Sequence, residues 1–339
     1  VTAVVPPLQT TRLDPASRPF FAADVGGTHV RVGLIQAAAA NDPAIDVLSY
    51  RKYRCADYPS LSAILSDFAS HNPPVEHCVI ATAGYALADG TVISANLPWP
   101  LSSSHIREEL GFAGVHLVND FEAVAHAAGH INASQVLQLT GPAEAERGPT
   151  LVIGPGTGLG AAVWIPVGNR SVVLATEAGQ ASLAATTELE MAVLQQMLHE
   201  RPHVSIEQAL SGPGLLNLYN ALCAVRGVAP VHTTPDAVSA AACDGSDPLA
   251  VETLQLFCGI LGSTIGDMAL LYGVQGGIYL AGGILPKISQ FLLNSTFVER
   301  FLNKGPMRKA LQSIPVKLVE HGQLGVIGAA SWYLEKSAT

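Results

Sequence analysis

The chain has 339 residues, 49% of them hydrophobic and 13% charged, and a formal net charge of −9. That length suits about two domains with buried cores, and such sparse charge excludes extended disorder outside the termini. The acidic balance excludes a protein that grips a nucleic-acid backbone through a basic face, although backbone N–H groups could still hold a nucleotide.

Residues 1–20 are rich in Pro and Thr and lack the basic start and unbroken apolar core of a signal peptide. They are also too short and too poor in Lys and Arg for a helix-turn-helix, so a cytoplasmic protein with no nucleic-acid partner is expected. Phe20-Phe21-Ala22-Ala23 then reads as a strand entering the turn Asp24-Val25-Gly26-Gly27-Thr28, and residues 30–35 alternate like a returning strand. Helical periodicity follows at 61–70, 102–110 and 122–128. A polar loop at 142–149 leads to a second strand, glycine turn and strand, with Gly154-Pro155-Gly156-Thr157-Gly158-Leu159-Gly160 at its centre. Further helices are expected at 187–198, 206–224 and 251–272. The last of these is the longest apolar stretch, but Gly262, Gly266 and Asp267 interrupt it, which predicts a buried core helix and no membrane partner. A third glycine turn, Ala281-Gly282-Gly283, follows the apolar residues 277–280, and a helix at 326–335 closes the chain.

Strands alternating with helices place the chain in the α/β class, and two matching glycine hairpins half a chain apart suggest a duplicated unit. Five cysteines, Cys55, Cys78, Cys223, Cys243 and Cys258, show neither metal-ligand nor disulfide spacing and read as buried thiols in a reducing compartment.

A glycine turn lets the backbone approach a ligand where any Cβ would clash, and successive N–H groups can then surround phosphate oxygens. Thr28 and Thr157 add hydroxyls, and Asp24 offers a hard oxygen to Mg²⁺, directly or through water. Gly-Lys occurs nowhere, which excludes a Walker P-loop. Gly156-Thr157-Gly158-Leu159-Gly160-Ala161 matches a dinucleotide fingerprint, but that motif must open a helix, and residues 161–165 followed by Pro166 read as a strand. Tight hairpins that hold no ligand remain the plain alternative.

Leu117-Val118-Asn119-Asp120-Phe121 ends an apolar run and begins a helix. Asp120 is either the N-cap of that helix or a carboxylate that orients a hydroxyl and accepts its proton during phosphoryl transfer. Asn119 can both donate to and accept from a neighbouring hydroxyl. Glu207, ahead of Gln208-Ala209-Leu210, reads locally as a solvated helix face.

Five ordered segments carry a specific resemblance: Ala-Asp-Val-Gly-Gly-Thr at 23–28, Val-Asn-Asp-Phe-x-Ala-Val at 118–124, Gly-Pro-Gly-Thr-Gly-Leu-Gly at 154–160, Leu-Ser-Gly-Pro-Gly-Leu at 210–215 and Ala-Gly-Gly-Ile at 281–284. In order and spacing they resemble the signatures of bacterial glucokinases, within the hexokinase and actin-like ATPase superfamily. The resemblance implies an α/β, two-domain actin-like ATPase (ribonuclease H-like) fold with an interdomain cleft. Residues 1–130 and a C-terminal helix at about 322–339 would form the small domain, and residues 131–321 the large one. It implies ATP with Mg²⁺, the nucleotide held by Ala23, Asp24, Val25, Gly26, Gly27, Thr28, Gly156, Thr157, Gly158, Gly282 and Gly283, with 211–214 flanking the adenosine and Asp24 on the metal. Glucose would be held by Asn96, Asn119, Asp120, Glu177, Gln180 and Glu207, with Asp120 as the base on its 6-hydroxyl.

The chain departs from that pattern where the family's sugar loop usually reads Glu-Gly-Gly-His. Here it reads Glu177-Ala178-Gly179-Gln180, and Ala181-Ser182-Leu183 after it also differs. His29 stands where an asparagine is common. A zinc cluster found in a related branch has no counterpart, so no zinc is expected. Two further readings stay open: a kinase for another hexose or an amino sugar, and a sugar-binding regulator with little turnover. The apolar composition is compatible with a homodimer.

Overall fold

The computed structural model describes residues 18–37, 45–87, 89–93, 97–128, 136–168, 170–319 and 322–337. The chain divides into two compact units, Val1–Ala123 with Gln323–Thr339, and Val124–Gly322. In chain order the first unit contains β1 (Phe20–Val25), β2 (His29–Ala37), β3 (Ile45–Arg54), α1 (Leu61–Ser70), β4 (His77–Thr82), β5 (Tyr85–Ala86), β6 (Thr91–Ile93), β7 (Leu101–Ser102), α2 (Ser103–Leu110) and β8 (Gly114–Asn119). The division falls inside α3 (Asp120–Ala127). The second unit contains β9 (Val136–Thr140), β10 (Thr150–Pro155), β11 (Leu159–Val167), β12 (Arg170–Thr176), α4 (Glu188–Leu198), α5 (Gly212–Arg226), α6 (Pro235–Asp244), α7 (Pro248–Leu271), β13 (Ile278–Leu280), α8 (Ser289–Leu293), α9 (Phe297–Leu302), α10 (Arg308–Gln312) and β14 (Val316–Val319), and α11 (Leu324–Ser337) belongs again to the first.

The first unit is built on a five-stranded sheet in the order β3-β2-β1-β4-β8. β1 is buried on both faces, which is why it reads as an unbroken apolar run and not as an alternation. Phe21, Ala23 and Val25 pack with Ile64, Leu65 and Phe68 of α1, while Phe20 and Ala22 pack with Val326, Ala329, Ala330 and Tyr333 of α11. Helix α1 forms because Leu61, Ile64, Leu65 and Phe68 fall on one face, and Ser60 caps it by accepting from the Ala63 N–H at 3.1 Å.

The second unit has a six-stranded sheet in the order β12-β11-β10-β13-β14-β9. Its first five strands repeat the pairing of the first sheet: two antiparallel contacts, then two parallel ones. The duplication expected from the paired hairpins is therefore a duplication of sheet topology.

Helix α7 is the one helix among the described residues long and apolar enough to cross a membrane, and most of it is buried in the second unit. A Cβ at Gly262 would lie 2.2 Å from the Phe297 carbonyl oxygen, so the glycine is what lets α9 press its backbone onto α7. The helix expected at 251–272 starts earlier, at Pro248, because Asp247 caps it through the Leu249 N–H at 2.8 Å.

A second expectation is corrected more substantially. The helix expected at 206–224 is broken: Ile206–Gln208 is a single tight turn, and α5 starts only at Gly212. Ser211 is extended and caps α5 by accepting from the Gly214 N–H at 2.9 Å. Among the cysteines, four are buried as expected, but Cys243 is exposed.

Candidate active site

In the first unit, the β1–β2 hairpin is closed by the Gly26 N–H donating to the His29 carbonyl at 3.0 Å, which leaves Gly27 and Thr28 exposed at its tip. Ala23 and Val25 are buried in the strand, so the functional side chains of this turn are the Asp24 carboxylate and the exposed Thr28 hydroxyl. Burial pushes the Asp24 carboxyl above its ordinary value, and the Arg31 guanidinium opposes this, donating to Oδ2 at 3.0 Å. Arg31 was missed in the sequence. A hairpin that turns at Gly26–His29 sets position 24 opposite position 31, and that register is the signal that would have found it. Helix α11 also closes on Asp24: a Cβ at Gly325 would lie 2.5 Å from its Cγ.

Asn119 ends β8, and α3 begins with Asp120. Asn119 Oδ1 accepts from the N–H groups of Phe121 at 3.0 Å and Glu122 at 3.1 Å, which is the pattern of an N-cap. The cap weighed for Asp120 therefore belongs to Asn119. Asp120 sits one residue inside the helix, with Oδ1 accepting from the Phe121 N–H at 2.9 Å. The Trp332 indole N–H donates to Glu122 at 2.9 Å and ties α11 to the start of α3.

Sheet register brings these two features to one edge. Val25 pairs with Thr82, and Thr82 pairs with Asn119, in parallel strands. The glycine turn and the Asn119-Asp120 pair thus leave the same carboxyl-terminal edge of the sheet, two strand spacings or about 10 Å apart. That edge is where open α/β sheets bind their ligands.

In the second unit, the β10–β11 turn is closed by the Gly156 N–H donating to the Gly158 carbonyl at 2.8 Å. Its continuation as β11 excludes the helix that a dinucleotide fingerprint requires. The Ala281–Gly283 turn lies directly beside it, since a Cβ at Gly154 would be 2.7 Å from the Ala281 oxygen and one at Gly282 2.4 Å from the Pro155 oxygen. Apart from each glycine and its two chain neighbours, no atom of the described residues comes within 4 Å of a Cβ built on Gly156 or Gly283, so both turns face open space. The Gly212 N–H donates to the Gly156 carbonyl at 2.8 Å and fastens the start of α5 to the same turn.

Glu207 departs from its local reading as a solvated helix face. Its Oε2 accepts from the Leu159 N–H at 2.8 Å and its Oε1 from the Gln180 amide at 3.2 Å. Gly158 makes room for this carboxylate: a Cβ there would lie 2.5 Å from Oε2. Gly179 likewise has no room for a Cβ, which would meet the Leu159 oxygen at 2.4 Å, so the 177–180 turn lies flat on the start of β11. Glu177 and Thr157 are exposed. The structure thus joins Gly158, Gln180 and Glu207 in one cluster and sets Gly282 against the second turn, with Gly283 beside it in the chain facing open space. Asn96 lies outside the described residues. Besides Arg31, sequence reasoning missed His203, whose ring reaches the Gln180 carbonyl.

The family model described as Glucokinase matches residues 21–336. A glucokinase-like protein of Xylella fastidiosa is 59% identical over 329 residues, covering 97% of this chain and 98% of that protein. A glucokinase of Saccharophagus degradans is 36% identical over 317 residues, covering 93% and 98% of the two chains. The crystal structure of a glucokinase from an Antarctic psychrotroph superposes with a TM-score of 0.83 at 37% identity, covering 95% of this chain and 99% of that one. With the actin-like α/β fold and a family match across almost its whole length, the chain belongs to the glucokinase family and is a sugar kinase.

Proposed function

We propose that this enzyme transfers the γ-phosphoryl group of ATP to the 6-hydroxyl of glucose, as a cytoplasmic kinase that feeds glycolysis. The observation that carries this reading is the Glu207 carboxylate, which bonds at once to the backbone of the second glycine turn and to Gln180 of the 177–180 turn. Residues suited to a sugar therefore lie within one side chain of residues suited to a phosphate.

The roles follow from chemistry. Gly26, Gly27, Thr28, Gly156, Thr157 and Gly158 offer N–H and hydroxyl donors to the phosphates, with Gly282 and Gly283 beside the adenosine. Asp24 is the fitting ligand for Mg²⁺, through its second oxygen or a water, since Arg31 already donates to Oδ2. When bound, Mg²⁺ neutralises phosphate charge. Asn119, Glu177, Gln180 and Glu207 orient the sugar hydroxyls, the ionised carboxylates accepting with charge-assisted strength. Asp120 accepts the proton of the 6-hydroxyl as its oxygen attacks phosphorus, and the ADP oxygen leaves with the bonding pair. Because Asn119 supplies the helix cap, Asp120 is not required for it.

The test is ADP release from Mg·ATP with glucose, mannose, fructose and N-acetylglucosamine offered separately, repeated with Asp120→Ala. Glucose-selective release that falls by orders of magnitude in the variant is expected. Near-normal turnover by Asp120→Ala would remove the assigned base. Release that follows another sugar would reassign the substrate, and sugar binding without release would make the protein a sensor.

A further inference from the structure

His203 is exposed, lies outside every role assigned above, and still makes a defined contact. Its Nε2 is 3.3 Å from the Gln180 carbonyl oxygen. A carbonyl can only accept, so Nε2 carries the proton of this bond. The surrounding backbone is already paired. The Leu183 N–H donates to Val204 at 2.9 Å and the Ile206 N–H to Ala181 at 2.8 Å, around an antiparallel bridge between Ser182 and Ser205. Counting that register two pairs onward sets Gln180 opposite Glu207, and their side chains meet at 3.2 Å.

A chain of three bonds results: His203 to the Gln180 carbonyl, the Gln180 amide to Glu207 Oε1, and Glu207 Oε2 to the Leu159 N–H. Gln180 spends one of its two amide protons on Glu207 and keeps the other, with its oxygen, for a hydroxyl. A carboxylate held on both oxygens before the sugar arrives loses less freedom on binding than one that swings in solvent.

We propose that His203 is a positioning residue for sugar recognition, fixing the backbone of Gln180 so that its amide presets Glu207. This rests on the functional reading above, and it concerns the sugar and not the nucleotide. His203→Ala removes one neutral hydrogen bond, so the glucose Kd and KM rise about threefold to tenfold. The ATP KM and kcat stay within about twofold. His203→Gln, which can present an amide N–H at similar reach, restores most of the affinity. In a Gln180→Ala background, His203→Ala adds nothing, since the link it supports is already gone.

Titration calorimetry with glucose and steady-state kinetics on these four variants decide the matter, with urea midpoints confirming that each is folded. The proposal is overturned if His203→Ala binds glucose like the parent, if its loss persists undiminished beside Gln180→Ala, or if the ATP KM moves as much as the sugar KM. If the parent binds glucose without turnover, the kinase reading fails while the binding constants still judge His203. If the parent binds no hexose, both fall.

Discussion

Alanine at position 158 would place a methyl group 2.5 Å from Glu207 Oε2, where only a hydrogen now lies. The backbone there needs no left-handed conformation, so the whole effect falls on the carboxylate. Glu207 is the flexible partner and gives way, which breaks its bond from the Leu159 N–H and misaligns the one from Gln180. A hydrogen bond to a charged group is worth about 1.5–3 kcal/mol, so a carboxylate displaced from the sugar should cost about tenfold to a hundredfold in kcat/KM for glucose. Steady-state kinetics at saturating ATP, with a thermal melt to confirm folding, are the assay. The expected signature is a raised glucose KM in a protein that melts near the parent temperature. A Gly158→Ala enzyme with parental glucose KM would refute the placement of Glu207 in the sugar site.

Arg31→Ala leaves the part-buried Asp24 carboxylate without its cation, and stability should fall by about 1–3 kcal/mol, read from urea unfolding. The same variant should need more Mg²⁺ for half-maximal activity if its Asp24 becomes easier to protonate. Burial works against the charge of Glu190, yet the Arg300 guanidinium at 2.7 Å and the Thr186 N–H hold its carboxyl below the ordinary value. A depressed carboxyl pKa adds stability above the unfolded value near ~4.3 and loses it as pH falls through the folded one. Glu190→Gln should therefore cost about 3 kcal/mol at pH 7 and progressively less in acid, and equal losses at pH 7 and pH 3 would contradict the pairing. Finally, a thiol reagent should label Cys243 alone in the native protein and all five cysteines in denaturant, since the other four are buried and burial pushes Cys78 and Cys258 up to about 12.

Where local chemistry alone decides, the sequence was easily read. Helix α1 keeps its expected bounds, Leu61–Ser70, because its apolar face and Ser60 cap lie within a dozen residues. Pro166 correctly argued for a strand after the second glycine turn. The break between Gln208 and Gly212 was missed because helical periodicity runs across it, although Ser-Gly-Pro-Gly spells a cap followed by a proline in the first turn. Asn119 and Asp120 compete for one cap by being neighbours, and only the distances separate them. Glu207 was the hardest to read. Its orientation is set by a backbone N–H 48 residues away, at Leu159, and no window along the chain contains both ends of that bond.

Helix α11 covers the Phe20 and Ala22 face of the first sheet, yet it leaves the ribosome only after the second unit has been made. Between β8 and α11 lies the whole second unit, residues 124–322. At about 5–20 residues per second, that delay is on the order of 10–40 s, during which the earlier strands wait with one apolar side uncovered. The nascent chain is thus obliged to finish its second half before its first can close. Chaperone demand should peak in that interval, and a stop codon anywhere before residue 324 should yield aggregate.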